Sequence, residues 1–219
     1  MKRFLIYLIL TFAFIAYAEC QNSDISDPKA KTILDELSAK TKAYTSIKAE
    51  FTVIIQNKDK TKKADIEKGS LLLKGSKYQL EIKGQEITSD GKTSWTLLKD
   101  NNEVQINDVD QNASDGLNPA TIFTIYEKGY KSKFESETGG NQIISLYPVN
   151  PEKKKFHTLR LVIDKTKKQV LSCTELMKDG SSIEYTLNSF ITNAPVSESL
   201  FTFDVKAHPG VEVVDLRDR

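Results

Sequence analysis

From Ile47 the chain alternates: Ala49, Phe51, Val53 and Ile55 share one parity, and Lys48, Glu50 and Thr52 hold the other. A period of two is what a strand with one dry face requires. Similar runs recur at about 66–74, 77–83, 85–89, 93–99 and 103–107, and again at about 131–137, 141–147, 158–164, 169–177 and 182–190. Turn-forming residues separate them, among them Gly75-Ser76, Gly84, Asp90-Gly91, Asn101-Asn102 and Lys178-Asp179-Gly180. Short strands at regular spacing predict an antiparallel meander. Asp90-Gly91, just before the single tryptophan Trp95, is the strongest hairpin signal and fits a two-residue type I′ turn. A tail strand is expected at 200–205, followed by the alternating Val211 and Val213.

Two segments break this period. Asp27-Pro28 has the form of a helix cap followed by a first helical residue, and Ala30, Ile33, Leu34, Leu37 and Tyr44 then fall near one helical stripe. Halfway along, Asn118-Pro119 opens a second predicted helix, to Glu127, in which Ile122, Phe123, Ile125 and Tyr126 exceed the apolar surface that so short an element can hide by itself. The fold class implied is α+β, mainly β: a single long, curved antiparallel sheet with an N-terminal helix and a second helix inserted halfway. With 219 residues, 39% of them hydrophobic, one domain over 27–219 is expected.

The N-terminus reads as an address. Lys2 and Arg3 precede an apolar run from Phe4 to Ala16, and Ala16-Tyr17-Ala18 places small residues where a signal peptidase reads them. Cleavage after Ala18 is expected, giving a signal peptide over 1–18, a disordered leader over 19–26 and an exported product. Cys20 follows Glu19 rather than the small residue a lipidation site needs, so a soluble, unacylated product is expected. Cys20 and Cys173 are the two cysteines, and two unpaired thiols are the favoured reading. Loss of residues 1–18 takes the formal charge from +1 to −1, which gives no reason to expect bulk electrostatic binding to nucleic acid or to an anionic membrane. The charged run from Asn57 to Lys63 reads as a solvated hairpin loop.

Catalytic patterns are missing. His157 and His208 lie far apart without partner motifs, and neither a nucleophile elbow, a paired-histidine metal motif nor a phosphate-cradling loop occurs. Asp108, Asp110 and Asn112 imitate the start of a calcium loop, but Ala113 and Pro119 stand where its glycine and its bidentate acid belong. No enzyme activity, cofactor or metal is expected. What remains is an apolar sheet face and two amphipathic helices. Either the helices complete a packed core, or they are lids over a cavity for a lipid. On the second reading Phe51, Val53, Ile55, Leu72, Tyr78, Leu80, Ile87 and Trp95 line the concave face, with Ile122 and Phe123 facing them from the inserted helix.

Three segments carry a resemblance. Ser89-Asp-Gly-Lys-Thr-Ser-Trp95, Leu117-Asn-Pro119 before an apolar helix, and Leu200-Phe-Thr-Phe203 with Pro209-Gly-Val-Glu-Val213 resemble, in order, motifs of the periplasmic lipoprotein carriers of the Lol pathway, the LolA-like family. The resemblance implies an incomplete, half-open antiparallel β-barrel with an inserted lid helix, working in the periplasm as a monomeric carrier of acylated lipoproteins, loaded by an inner-membrane ABC transporter complex and unloading to an outer-membrane receptor or membrane. A second reading is a lipid-sensing or glycolipid-binding envelope module of the same fold. Family members often have an Arg-Pro after the second strand, the arginine helping to hold the lid shut; here Lys74-Gly-Ser-Lys77 occupies that place, and Lys74 or Lys77 is the candidate substitute.

Overall fold

The computed structural model describes residues 26–109 and 123–217. Its first element, α1 (Pro28–Lys42), starts as the sequence predicts: the Asp27 carboxylate accepts hydrogen bonds from the Lys29 and Ala30 backbone N–H groups, and Pro28 occupies the first turn. Ala30, Leu34 and Leu37 are buried on one stripe. Asp27 also ties the helix to the sheet, donating from its backbone N–H to the Ser132 carbonyl at 2.8 Å and accepting from the Phe134 N–H at 3.1 Å.

The strands are β1 (Ile47–Gln56), β2 (Asp65–Lys74), β3 (Lys77–Ile82), β4 (Gln85–Ser89), β5 (Thr93–Leu98), β6 (Glu103–Asp108), β7 (Tyr130–Thr138), β8 (Asn141–Pro148), β9 (Phe156–Asp164), β10 (Gln169–Met177), β11 (Ser182–Thr192) and β12 (Glu212–Asp215). They form one open sheet in the order β12-β6-β5-β4-β3-β2-β1-β11-β10-β9-β8-β7. Two meanders are thus joined where β1 pairs with β11. The long, mainly β sheet expected from the alternation is what the chain adopts, and it is left open, as the resemblance implies.

Several local expectations need correction. Asp90-Gly91 does not form a type I′ turn, because only Gly91 has positive φ, at 90°. The Asp90 carboxylate instead accepts from the Lys92 and Thr93 N–H groups, each at 2.8 Å, closing a wider loop. Gly91 is required for space as well, since a Cβ there would fall 2.4 Å from Ser76 Oγ in the neighbouring turn. Positive φ at two consecutive turn residues occurs at Lys83 and Gly84, between β3 and β4. The predicted tail strand at 200–205 is instead 3-10 turns at Glu198–Phe201 and Val205–Ala207. Val213 belongs to β12, which pairs parallel with β6, a long-range contact that alternation cannot announce. Residues 118–122 of the predicted inserted helix lie outside the described residues; its end is a single 3-10 turn, Ile125–Glu127.

Beta-bulges decide which side chains face inward. Glu50 pairs with Ser189 but Phe51 pairs with Leu187, so Asn188 is an extra residue on β11. Leu171 is a second such residue, between the pairs Val170–Ile163 and Ser172–Val162. Each bulge bends its strand and switches the parity of the positions beyond it. As a result Leu187, Tyr185 and Ile183 lie on the same face as Phe190, and Cys173 and Glu175 on the same face as Val170.

Candidate functional site

The inner face of the sheet carries two packed regions. In one, Ala30, Leu34 and Leu37 of α1 lie against Ile144, Leu146, Leu159, Leu161 and Ile163, with Tyr126 and Phe156. In the other, Ile47, Ala49, Leu71, Leu73 and Tyr78 pack with Phe123, and Phe51, Leu80, Ile87, Leu187 and Phe190 border them only partly buried. The segment 123–127 spans both: Phe123 meets the Phe190 ring edge-on at 5.4 Å, and Tyr126 is buried under α1. The second region is the candidate site, an apolar floor whose outer members retain solvent contact.

Strand register places the expected lining residues. Phe51, Val53 and Ile55 on β1, Tyr78 and Leu80 on β3 and Ile87 on β4 share the inner face, joined by the pairs Ala49–Leu71, Leu71–Leu80 and Leu80–Ile87. Phe123 closes over them, 9% exposed. Ile122 lies outside the described residues. Leu72 and Trp95 do not belong to this group: Leu72 pairs with Lys48 and Gln79, and Trp95 with Thr88 and Ile106, all on the outer face. Trp95 is an odd number of register steps from Ile87, and in a pleated sheet one step reverses the face. Leu71, Leu187 and Phe190 join the floor without having been expected there. The last two are brought in by the bulge at Asn188, for which the change from odd to even apolar positions within β11 was the available signal.

Gly69 belongs to the floor for a steric reason. A Cβ there would lie 2.5 Å from Cζ of Phe51 and 2.8 Å from the Glu81 carbonyl oxygen, so the Phe51 ring lies flat across the β2 backbone.

On the outer face the C-terminal segment packs beside Leu72. Glu198 bridges Lys74 and Lys77, each at 2.6 Å, and Lys74 donates to the Val196 carbonyl at 3.3 Å. These paired contacts hold the Glu198 carboxyl down at about 2. Leu72 and Leu200 line a shared groove of about 510 Å³, and Phe201 is 1% exposed. Phe203 stacks on His208 at 4.6 Å, which gives that histidine a packing role. Both lysines therefore clamp the C-terminal segment on the outer face. Glu127 accepts a hydrogen bond from Ser38 and pairs with Lys42 at 2.8 Å, both on α1. Burial alone would raise the Glu127 pKa; Lys42 and Ser38 hold it below the usual range.

One inner-face group is out of character. Glu175, 6% exposed, lies between Leu159 and Ile183 in the register. Burial pushes its pKa up, only partly offset by Lys154. Burial, with Glu175 nearby, also pushes the Cys173 thiol up to about 12, and Cys173 is unpaired. A carboxyl whose folded pKa exceeds its unfolded value costs stability as pH rises through that interval. Glu175→Gln is therefore expected to stabilise the protein, by about 1–2 kcal/mol once the carboxyl is charged. Urea unfolding at several pH values checks this: wild type should lose stability relative to the variant as pH rises above the ordinary carboxylate value, whereas a pH-independent difference would contradict the account.

The sequence profile of the outer membrane lipoprotein carrier protein LolA matches residues 42–204. No curated protein gives a match. Among solved structures, an uncharacterized conserved protein from Thermus thermophilus superposes with a TM-score of 0.56 at 14% identity, over 85% of this chain and 99% of that one. A putative outer membrane lipoprotein-sorting protein domain from Vibrio parahaemolyticus is 12% identical, with a TM-score of 0.45 over 80% of this chain and 96% of that one. A LolA superfamily protein from Nitrosomonas europaea is 13% identical, also at 0.45, over 80% and 98%. The Thermus structure supports the open-sheet fold, and the matched profile runs from the end of α1, through both halves of the sheet, to the segment clamped by Glu198. Those 163 residues place the chain in the outer membrane lipoprotein carrier family, LolA.

Proposed function

We propose that this protein binds the acyl chains of lipoproteins on its inner face and carries them through the periplasm from the inner to the outer membrane. The observation that carries this reading is an apolar floor left partly open: Phe51, Leu80, Ile87 and Leu187 stand around a buried centre of Leu71, Leu73 and Tyr78. Apolar surface that the chain itself does not cover lowers the free energy of any acyl chain laid on it, by about 25 cal/mol per Å² removed from water. Phe123 packs on the same floor, so chain and cargo compete for it, and Glu127 on Lys42 and Ser38 sets how firmly that segment stays down. In this reading the donor is an inner-membrane ABC transporter complex, the acceptor an outer-membrane receptor or membrane, and the working form a monomer cleaved after Ala18 with Cys20 unacylated. The site works by burial and release, and no residue is assigned to catalysis.

Native mass spectrometry of the protein purified from its host's envelope tests this. Acylated protein or peptide bound to a chain beginning at Glu19 is the expected result. Free glycolipid alone would point to an envelope lipid-binding module of the same fold, and a chain that neither carries lipid nor takes up a triacylated peptide would overturn the proposal.

A further inference from the structure

One end of the sheet gathers charge that is scattered in the sequence. The β1–β2 loop at 57–64 holds four lysines, the β8–β9 loop holds the run Lys153-Lys154-Lys155, and the β10–β11 turn holds Lys178. These loops touch. Lys178 donates from its backbone N–H to the Lys155 carbonyl at 3.0 Å and from its ammonium to the Pro151 carbonyl at 2.7 Å, and a Cβ at Gly180 would lie 3.5 Å from Cβ of Lys58. Against eight lysines the three loops contain three carboxylates, Asp59, Glu152 and Asp179. The surplus of five leaves the rest of a chain whose net charge is +1 at −4, so the molecule is strongly polarised toward this rim. Among the described residues, Lys60, Lys62, Lys63, Lys153 and Lys155 form no ion pair. The opposite end differs: Lys165 pairs with Glu137 and Lys168 with Glu36.

Apolar groups accompany the charge. Val149, in the β8–β9 loop, is 52% exposed, and Ile55, 36% exposed, ends the inner-face row of β1 at this rim, paired with Ile183. Ammonium groups around an emerging apolar strip complement a surface of anionic headgroups over acyl chains. Such attraction acts within about 8 Å at physiological salt, so it requires the rim to approach the surface directly.

We propose that this rim, formed by the β1–β2, β8–β9 and β10–β11 loops, docks on an anionic lipid bilayer with the open end of the inner face toward the membrane. The orientation rests on the inner face being the acyl site; the docking does not. The test is sedimentation of the full chain with vesicles of phosphatidylglycerol and phosphatidylcholine in equal parts, and with phosphatidylcholine alone. Binding is expected on the anionic vesicles only, weakening as salt is raised. The variant Lys60→Glu/Lys62→Glu/Lys155→Glu is expected to lose binding by about tenfold or more, while Lys167→Glu at the opposite end changes it little. Uptake of a fluorescent acyl probe without vesicles, measured on the same variants, should stay unchanged; failure of that uptake in wild type would count against the acyl site and leave docking standing. Equal binding to neutral vesicles, no binding to either, or a triple variant that binds like wild type would overturn the docking proposal. So would binding to polyglutamate without binding to vesicles, which would assign the rim to an acidic protein.

Discussion

Tyr78→Glu is expected to cost the chain a large part of its stability, while Leu80→Glu, two residues along the same strand face, is expected to leave it stably folded but unable to hold an acyl chain. Tyr78 is 7% exposed among Leu71, Leu73 and Phe123, and burial raises the pKa of its hydroxyl beside Ser89. A carboxylate at that depth must be desolvated among apolar neighbours, at a cost of about 3–5 kcal/mol, against a total stability of about 5–15 kcal/mol for a typical domain. Leu80 is only partly buried at the border of the same cluster, so a glutamate there reaches water. The loss then falls on the ligand, since one leucine-sized contact is worth about 1.5–3 kcal/mol, or about ten- to a hundredfold in affinity. Thermal melts by circular dichroism and titration with a fluorescent acyl probe separate the two effects. A Tyr78→Glu protein melting like wild type would contradict the packing described, and undiminished acyl binding by Leu80→Glu would remove the floor from the site.

The second large effect is expected under α1. Leu159, 0% exposed, pairs with Leu146 and Glu175 and belongs to the cluster that receives Leu34 and Leu37. Leu159→Ala removes buried methyl groups from a place where two layers meet and neither can easily collapse, so a loss of about 2–5 kcal/mol is expected. Denaturant unfolding measures it. Acyl binding by the fraction that remains folded should be near normal, because this cluster lies on the α1-covered half of the inner face and the proposed cargo floor on the other. A loss below about 0.5 kcal/mol would mean that α1 packs more loosely than its buried stripe indicates.

The features legible in the amino-acid order are those that depend on near neighbours. Asp27-Pro28 starts α1 because cap and first turn lie within four residues. The alternation of Ala49, Phe51, Val53 and Ile55 makes a strand with one dry face, and this strand in turn defines the inner face of β3 and β4 through Leu71 and Leu80. The three family motifs are likewise short and local. Strand register and long-range pairing became visible only in three dimensions, because a one-residue shift in pairing is invisible in composition yet reverses every side chain after it. The bulges at Asn188 and Leu171 turn Leu187 and Glu175 inward, and register sends Leu72 and Trp95 outward, Leu72 beside the C-terminal segment. Glu198 finds Lys74 and Lys77 from more than a hundred residues away, and Glu127 finds Lys42 across the first half of the sheet. Lysines that lie in three separate loops along the chain become one charged rim because antiparallel strands bring their loops to common ends. Ion pairs and charge fields act through space, within a few ångströms to a Debye length, and distance along the chain has no part in their energy.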